Sequence, residues 1–292
     1  MKREPVAFKR DEAGEVAIQQ SLQEKHFFWM PSDLAMCLAA LTAIQDYYIW
    51  AGKRGVHADI ILYYPDSRLS VLSGCLIGSE YVKSVNNVDD PDLDLRDFDL
   101  SVKFDAARAY DLVRVPEKHV TQAFGIMIGG VPDKAVPDLS PLNISEPTKD
   151  ILILPFQACE KLYDFLCNNH PELDTDWMAE SLVGKIAEYG FIETIAKYRM
   201  VVGVRSGLTY LAAAIGRGVV EIYPPDRYRN WESKWSCPFY QMINANPEQV
   251  SAELAYRAVE ALWKRMQSHQ TILKAQIQTE PSTSDASIVE RS

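Results

Sequence analysis

Six consecutive residues, Arg205-Ser206-Gly207-Leu208-Thr209-Tyr210, carry the clearest chemical potential in the chain. A β-branched run (Val201, Val202, Val204) precedes them and reads as a strand covered on both faces. Leu208, Leu211, Ala212 and Ile215 then recur at helical spacing, with Ser206 a good N-cap and Gly207 open to close approach. Gly216 and Gly218 end that helix before a second buried strand, Val219–Tyr223. A strand-turn-helix of this kind sets a helix N-terminus at the carboxyl edge of a parallel sheet. Unbonded N–H groups and the helix dipole there favour an anion such as phosphate. Ser206, Gly207, Leu208 and Thr209 are candidate cradle residues through backbone N–H groups and hydroxyls. Arg205 would grip a phosphate oxygen, or else pair with a neighbouring acidic side chain. Glu221 interrupts the second strand, where a carboxylate would meet ribose hydroxyls or sit at a sheet edge. An ordinary packed βαβ unit fits the same pattern.

Other chemistries find less support. Five cysteines (Cys37, Cys75, Cys159, Cys167, Cys237) are scattered without CxxC spacing and read as free thiols in a reducing cytosol. Cys167 and His170 are too few to make a metal site, and the other histidines occupy no ligand spacing. The aspartates of residues 86–99 lack EF-hand spacing and read as a solvated loop. Asp92-Leu-Asp94 lies in that loop and not after a strand, so metal-independent chemistry is expected. A net charge of −10 gives no general pull toward nucleic acid. No apolar run approaches bilayer-spanning length and Met1-Lys-Arg-Glu-Pro lacks a signal core, so the expectation is a cytoplasmic protein without stable membrane insertion.

The elements that must position these residues form two α/β halves. Residues 1–24 are a polar lead-in. His26–Met30 reads as a strand, Pro31-Ser32-Asp33 as a capped turn, and Leu34 to Tyr48 as a helix closed by Gly52 and Gly55. Ala58–Tyr64 is a second strand, Phe98–Phe104 a third, and residues 106–130 look helical. The Pro-rich stretch Val131–Thr148 reads as a connector. The first half is therefore placed at 25–148 and the second at 149–246, opening with strand Asp150–Phe156 and holding helices near 158–169 and 177–198. Asp226 to Arg229 would border the second half's site, with Trp231 and Trp235 packing the seam. A C-terminal helix at 247–267 and a disordered tail at 268–292 complete the chain. The expected class is α/β, two Rossmann-like halves facing across a cleft.

Two motifs give this pattern a family likeness. Met30-Pro-Ser-Asp-Leu-Ala-Met-Cys-Leu-Ala-Ala-Leu41 and Val204-Arg-Ser-Gly-Leu-Thr-Tyr-Leu-Ala-Ala-Ala-Ile-Gly216 resemble the GT-B glycosyltransferases of the heptosyltransferase type, in order and spacing over residues 25–235. The resemblance implies a metal-independent, inverting transfer of a hexosyl- or heptosyl-type sugar from a nucleoside-diphosphate sugar. That donor is a co-substrate, and no cofactor is implied. The acceptor would be a saccharide, a lipid-linked glycan or a modified nucleobase. Asp33 falls on the family's catalytic base, unless it only caps the following helix. The second motif, Arg205 through Tyr210, falls on the family's Asp-(Ser/Thr)-Gly-x-x-His, which holds the donor diphosphate. Arg205 stands in place of the family Asp and Tyr210 in place of the His. Lys161 is a loose match to a family phosphate-binding lysine, or an exposed helix lysine. These departures leave a non-catalytic nucleotide- or partner-binding relative, and an epimerase of the same shape, as competing expectations.

Overall fold

The computed structural model describes residues 22–89, 94–105, 108, 119–130, 132–134, 136–179, 190–224 and 237–279. The first half is a four-stranded parallel sheet of order β3-β2-β1-β4: β1 Leu22–Trp29, β2 Val56–Tyr63, β3 Val82–Val88 and β4 Leu100–Lys103. Helix α1, Leu34–Gly52, makes the β1-to-β2 crossover, and a 3₁₀ stretch, Ser67–Leu76, follows β2. Helix α2, Val120–Ile128, packs on α1 and ends at Gly129 in the left-handed region at φ 89°.

The second half is a five-stranded parallel sheet of order β6-β5-β7-β8-β9. Its strands are β5 Lys149–Ile153, β6 Thr175–Trp177, β7 Tyr198–Val204, β8 Gly218–Tyr223 and β9 Tyr240–Asn244. One face carries α3 (Cys159–Asn169) and α6 (Ala252–Thr279), the other α4 (Phe191–Ala196) and α5 (Gly207–Ala214). The near-continuous apolar runs of β7 and β8 follow from this double cover.

A separate core under α3 and α6 gathers Ile151, Met200, Val202, Val220 and Leu262. The other core does not stop at the boundary between the halves. Leu38, Leu41 and Phe124 of the first half share one buried cluster with Val201, Tyr210 and Leu211 of the second. Alanines on both α1 (Ala39, Ala40, Ala43) and α5 (Ala212, Ala213) are fully or nearly buried, and such small side chains let the two helices approach closely.

Several elements differ from the sequence reading. β3 is a polar strand, Val-Lys-Ser-Val-Asn-Asn-Val, and its position at the sheet edge explains why it lacks an apolar signature. Edge strand β6 and strand β9 are likewise additional. α6 stays helical to Thr279, past the expected end at 267 and into the stretch expected to be disordered. Helix α1 is, among the described residues, long and apolar enough to cross a bilayer, contrary to the expectation that no segment was; its apolar character is that of a mostly buried core helix. Asp226 to Arg229, Trp231, Trp235 and most of 106–119 and 177–190 lie outside the described residues.

A core shared by both halves couples their unfolding. Calorimetry is expected to show one cooperative transition, with its calorimetric and van't Hoff enthalpies equal; two resolved transitions would mean that the shared cluster contributes little. Gly207→Val, which drives a side chain into α1, is expected to lower stability by about 1–3 kcal/mol without splitting that transition.

Candidate functional site

The first turns of α1 and α5 meet. A Cβ built on Gly207 would lie 2.6 Å from Leu34 Cβ and 3.1 Å from the Ala35 backbone nitrogen, so only glycine permits this approach. Asp33 caps α1: its Oδ1 accepts from the Met36 N–H at 3.0 Å. Ser206 caps α5 in a capping box with Thr209 as the reciprocal partner. Ser32, Asp33 and Ser206 are exposed, and Leu34, Ala35, Arg205, Gly207 and Leu208 are half-buried, so the junction opens to solvent.

Each helix end carries partial positive charge, on the order of half an elementary charge. Neither first turn contains an acidic side chain beyond the α1 cap. Among the described residues no acceptor is paired with the N–H groups of Leu34, Ala35, Gly207 or Leu208. Arg205 adds a guanidinium just before the α5 cap, its Cζ 5.4 Å from the Tyr223 ring centroid. The arrangement suits a bound anion.

Expected site residues divide into those that face this junction and those that turn inward. Asp33, Arg205, Ser206, Gly207 and Leu208 are brought together there. Thr209 is fully buried; its hydroxyl donates to Glu221 Oε1 at 2.8 Å and lies 2.9 Å from the Ser206 N–H that it accepts from. Glu221 is 1% exposed, and its Oε2 accepts from the Tyr240 hydroxyl at 2.6 Å. That corrects the sheet-edge alternative for Glu221: β8 lies between β7 and β9, so the residue is not at an edge, and its carboxyl group bonds Thr209 and Tyr240.

Tyr210 is also buried. Its hydroxyl lies 3.3 Å from Thr121 Oγ1 on α2, and its ring stacks on His119 with centroids 6.0 Å apart. Burial holds the phenol well above its usual pKa, so it remains protonated. It joins the two halves and does not line the opening. Lys161 is exposed in the first turn of α3, on the sheet face opposite α5, and no hydrogen bond or ion pair links it to the junction among the described residues. His119, Thr121 and Tyr240 were not singled out from sequence. Their partners across the network, Tyr210 for His119 and Thr121 and Glu221 for Tyr240, are brought to them by folding, so no local spacing announces them.

All five cysteines are free. His170 bonds Glu172 and Tyr256. Among the described residues no cluster of three or more His, Cys, Asp or Glu side chains is placed to hold a metal.

No family model and no curated protein matches this sequence. Solved structures do match. The E. coli heptosyltransferase WaaC with ADP aligns at TM-score 0.53 and 12% identity, covering 82% of this chain and 99% of WaaC. The E. coli ADP-heptose LPS heptosyltransferase II aligns at TM-score 0.54 and 10% identity, covering 83% and 99%. A family 9 glycosyltransferase from Veillonella parvula aligns at 0.54 and 8%, covering 84% and 98%. The fold is thus α/β with two parallel-sheet halves, the GT-B fold of the heptosyltransferases, as the two motifs implied.

The buried network makes a stability prediction. Glu221→Ala removes the carboxylate that accepts from both the Thr209 and the Tyr240 hydroxyls and is expected to cost about 1–3 kcal/mol in urea unfolding. Tyr210→Phe, losing the 3.3 Å contact with Thr121 Oγ1 and keeping the ring stacking on His119, is expected to cost less, about 0.5–1.5 kcal/mol. The reverse order would place the stronger constraint at the seam between the halves.

Proposed function

We propose that this chain is a glycosyltransferase moving a sugar from a nucleoside-diphosphate sugar to a hydroxyl acceptor, without metal and with inversion. The carrying observation is the junction of two helix N-termini, with exposed Asp33 on one and exposed Ser206 on the other. The GT-B likeness supports it, since structural neighbours are glycosyltransferases with ADP bound in one case.

In this reading the diphosphate lies across the α5 N-terminus, held by the N–H groups of Gly207 and Leu208 and by Arg205. The acceptor hydroxyl gives its proton to Asp33 Oδ2, the oxygen not used in the cap. Its oxygen attacks the anomeric carbon from the face opposite the diphosphate, and the bond from that carbon to the phosphate oxygen breaks. The electron pair leaves with the diphosphate, whose growing charge the helix end and guanidinium stabilise. Thr209, Tyr210 and Glu221 act indirectly, by fixing the α5 cap. The acceptor is a saccharide, a lipid-linked glycan or a modified nucleobase. Lys161 has no part in these steps.

A second reading, a non-catalytic nucleotide-binding protein, draws on Leu34 packing directly against Gly207 and on Arg205 and Tyr210 at positions where the family pattern has Asp and His.

Transfer and donor hydrolysis across a panel of UDP-, GDP- and ADP-sugars separate the two. Turnover is expected with at least one donor, unaffected by EDTA. Asp33→Asn, which retains a capping side chain, is expected to lower kcat by about 10²–10⁴-fold with little change in nucleoside-diphosphate affinity. Binding without turnover in the native chain selects the second reading. No binding to any nucleotide or nucleotide sugar removes both.

A further inference from the structure

A cavity of about 730 Å³ lies along the C-terminal half of α1, well removed from the helix junction. Asp46 on its wall is about 20 Å from Asp33, at ~1.5 Å of rise per residue. Its volume lies within the ~300–1,000 Å³ range of small-molecule sites. Three elements enclose it: α1, the end of the 3₁₀ stretch with the start of β3, and the connector between the halves. Gln45 clamps these walls together. Its Nε2 donates to Cys75 O at 3.0 Å and to Asp138 O at 2.9 Å, and its Oε1 accepts from the Asp138 N–H at 2.8 Å. The connector is thereby pinned to α1, and the space is formed before any ligand arrives.

Five charged residues line it, Asp46, Asp133 and Asp138 with Lys53 and Lys134, and the Asp138 carboxylate accepts from the Ser140 N–H at 2.9 Å. Burial and the neighbouring Asp133 push the Asp46 carboxyl above its usual range, while Lys134 and Lys53 oppose that shift. Asp133, Lys134 and Lys53 therefore all act on Asp46. The remaining wall is largely apolar, and Ile49 and Ile77 lie at it 47% and 62% exposed, unusual for large aliphatic side chains.

We propose that this cavity is a binding site for a neutral saccharide, separate from the helix junction. The chemistry selects that class. Carboxylates and ammonium groups share these walls, so an anion meets Asp46 and Asp133 and a cation meets Lys53 and Lys134. A sugar hydroxyl both donates and accepts, and carboxylates and ammonium groups side by side satisfy vicinal hydroxyls in both senses. Ile49, Ile77 and Pro132 offer apolar surface to the C–H faces of a ring. A sugar held here is too far from Asp33 to be the reacting one. The proposal therefore stands whether or not the junction transfers sugars.

Saturation-transfer NMR on the full chain tests it, with lactose, maltose and N,N′-diacetylchitobiose as probes and choline and inorganic phosphate as charged controls. At least one disaccharide is expected to bind at millimolar concentration, and the two controls are not expected to displace it. Asp46→Asn with Asp133→Asn is expected to weaken binding about tenfold or more. Ile49→Trp, at a half-exposed position that folding tolerates, fills the space and is expected to abolish the signal while leaving the melting temperature within a few degrees. Absence of saccharide binding, binding that survives both the double variant and Ile49→Trp, or preference for choline or phosphate overturns the proposal.

Discussion

The contact of Gly207 with Leu34 and the Ala35 backbone is the constraint on which the rest of the molecule depends. It brings two helix N-termini into one place. Two positive helix ends side by side repel each other, and no acidic side chain in either first turn cancels them beyond the Asp33 cap. The fold accepts that repulsion because α1 and α5 are anchored along their length in a cluster common to both halves. A few kcal/mol of helix–helix burial outweighs a dipole term that is typically below 1 kcal/mol at an exposed end. The residual field is then available to a ligand.

Anchoring also explains the division of labour within one short motif. The α5 cap is held from below: Thr209 locks Ser206 by the capping box and is itself held by Glu221, which Tyr240 holds in turn. A buried polar chain of this kind is stabilising only when each member is satisfied, and it fixes backbone direction more firmly than apolar packing does. Tyr210 extends the same logic across the seam to Thr121 and His119. Residues that look like ligand contacts in a linear motif thus become supports, and the exposed surface passes to backbone N–H groups, Arg205 and Ser206.

How much of this was legible in the sequence follows from range of interaction. The β-α-β opening, the β7-α5-β8 unit and the two caps are encoded locally, in β-branched runs, helical spacing and Ser or Asp before an apolar face. β3, β6 and β9 were not legible, because all three are edge strands and β9 carries only Ile243 buried; pairing, and not pattern, makes them strands. Glu221 is instructive. A carboxylate in an apolar strand signals that something polar must meet it, but not whether that partner is a ligand or the protein. The answer came from Thr209, twelve residues away and reached only by folding, and from Tyr240. The cavity beside Asp46 was illegible for the same reason. Its walls come from three separate segments, closed by Gln45 reaching the connector.

Arg205 is the side chain on which the proposed diphosphate reading leans most. A cation just before a helix N-cap opposes the dipole, and a second helix N-terminus lies beside it. Its contact with the Tyr223 ring, at 5.4 Å, is of a kind worth on the order of 0.5–1 kcal/mol. The guanidinium adds positive charge where the α1 and α5 N–H groups already converge. In the proposed reading that charge meets an anion with more than one oxygen to present. A diphosphate has that property, and the planar guanidinium fork is shaped to use it.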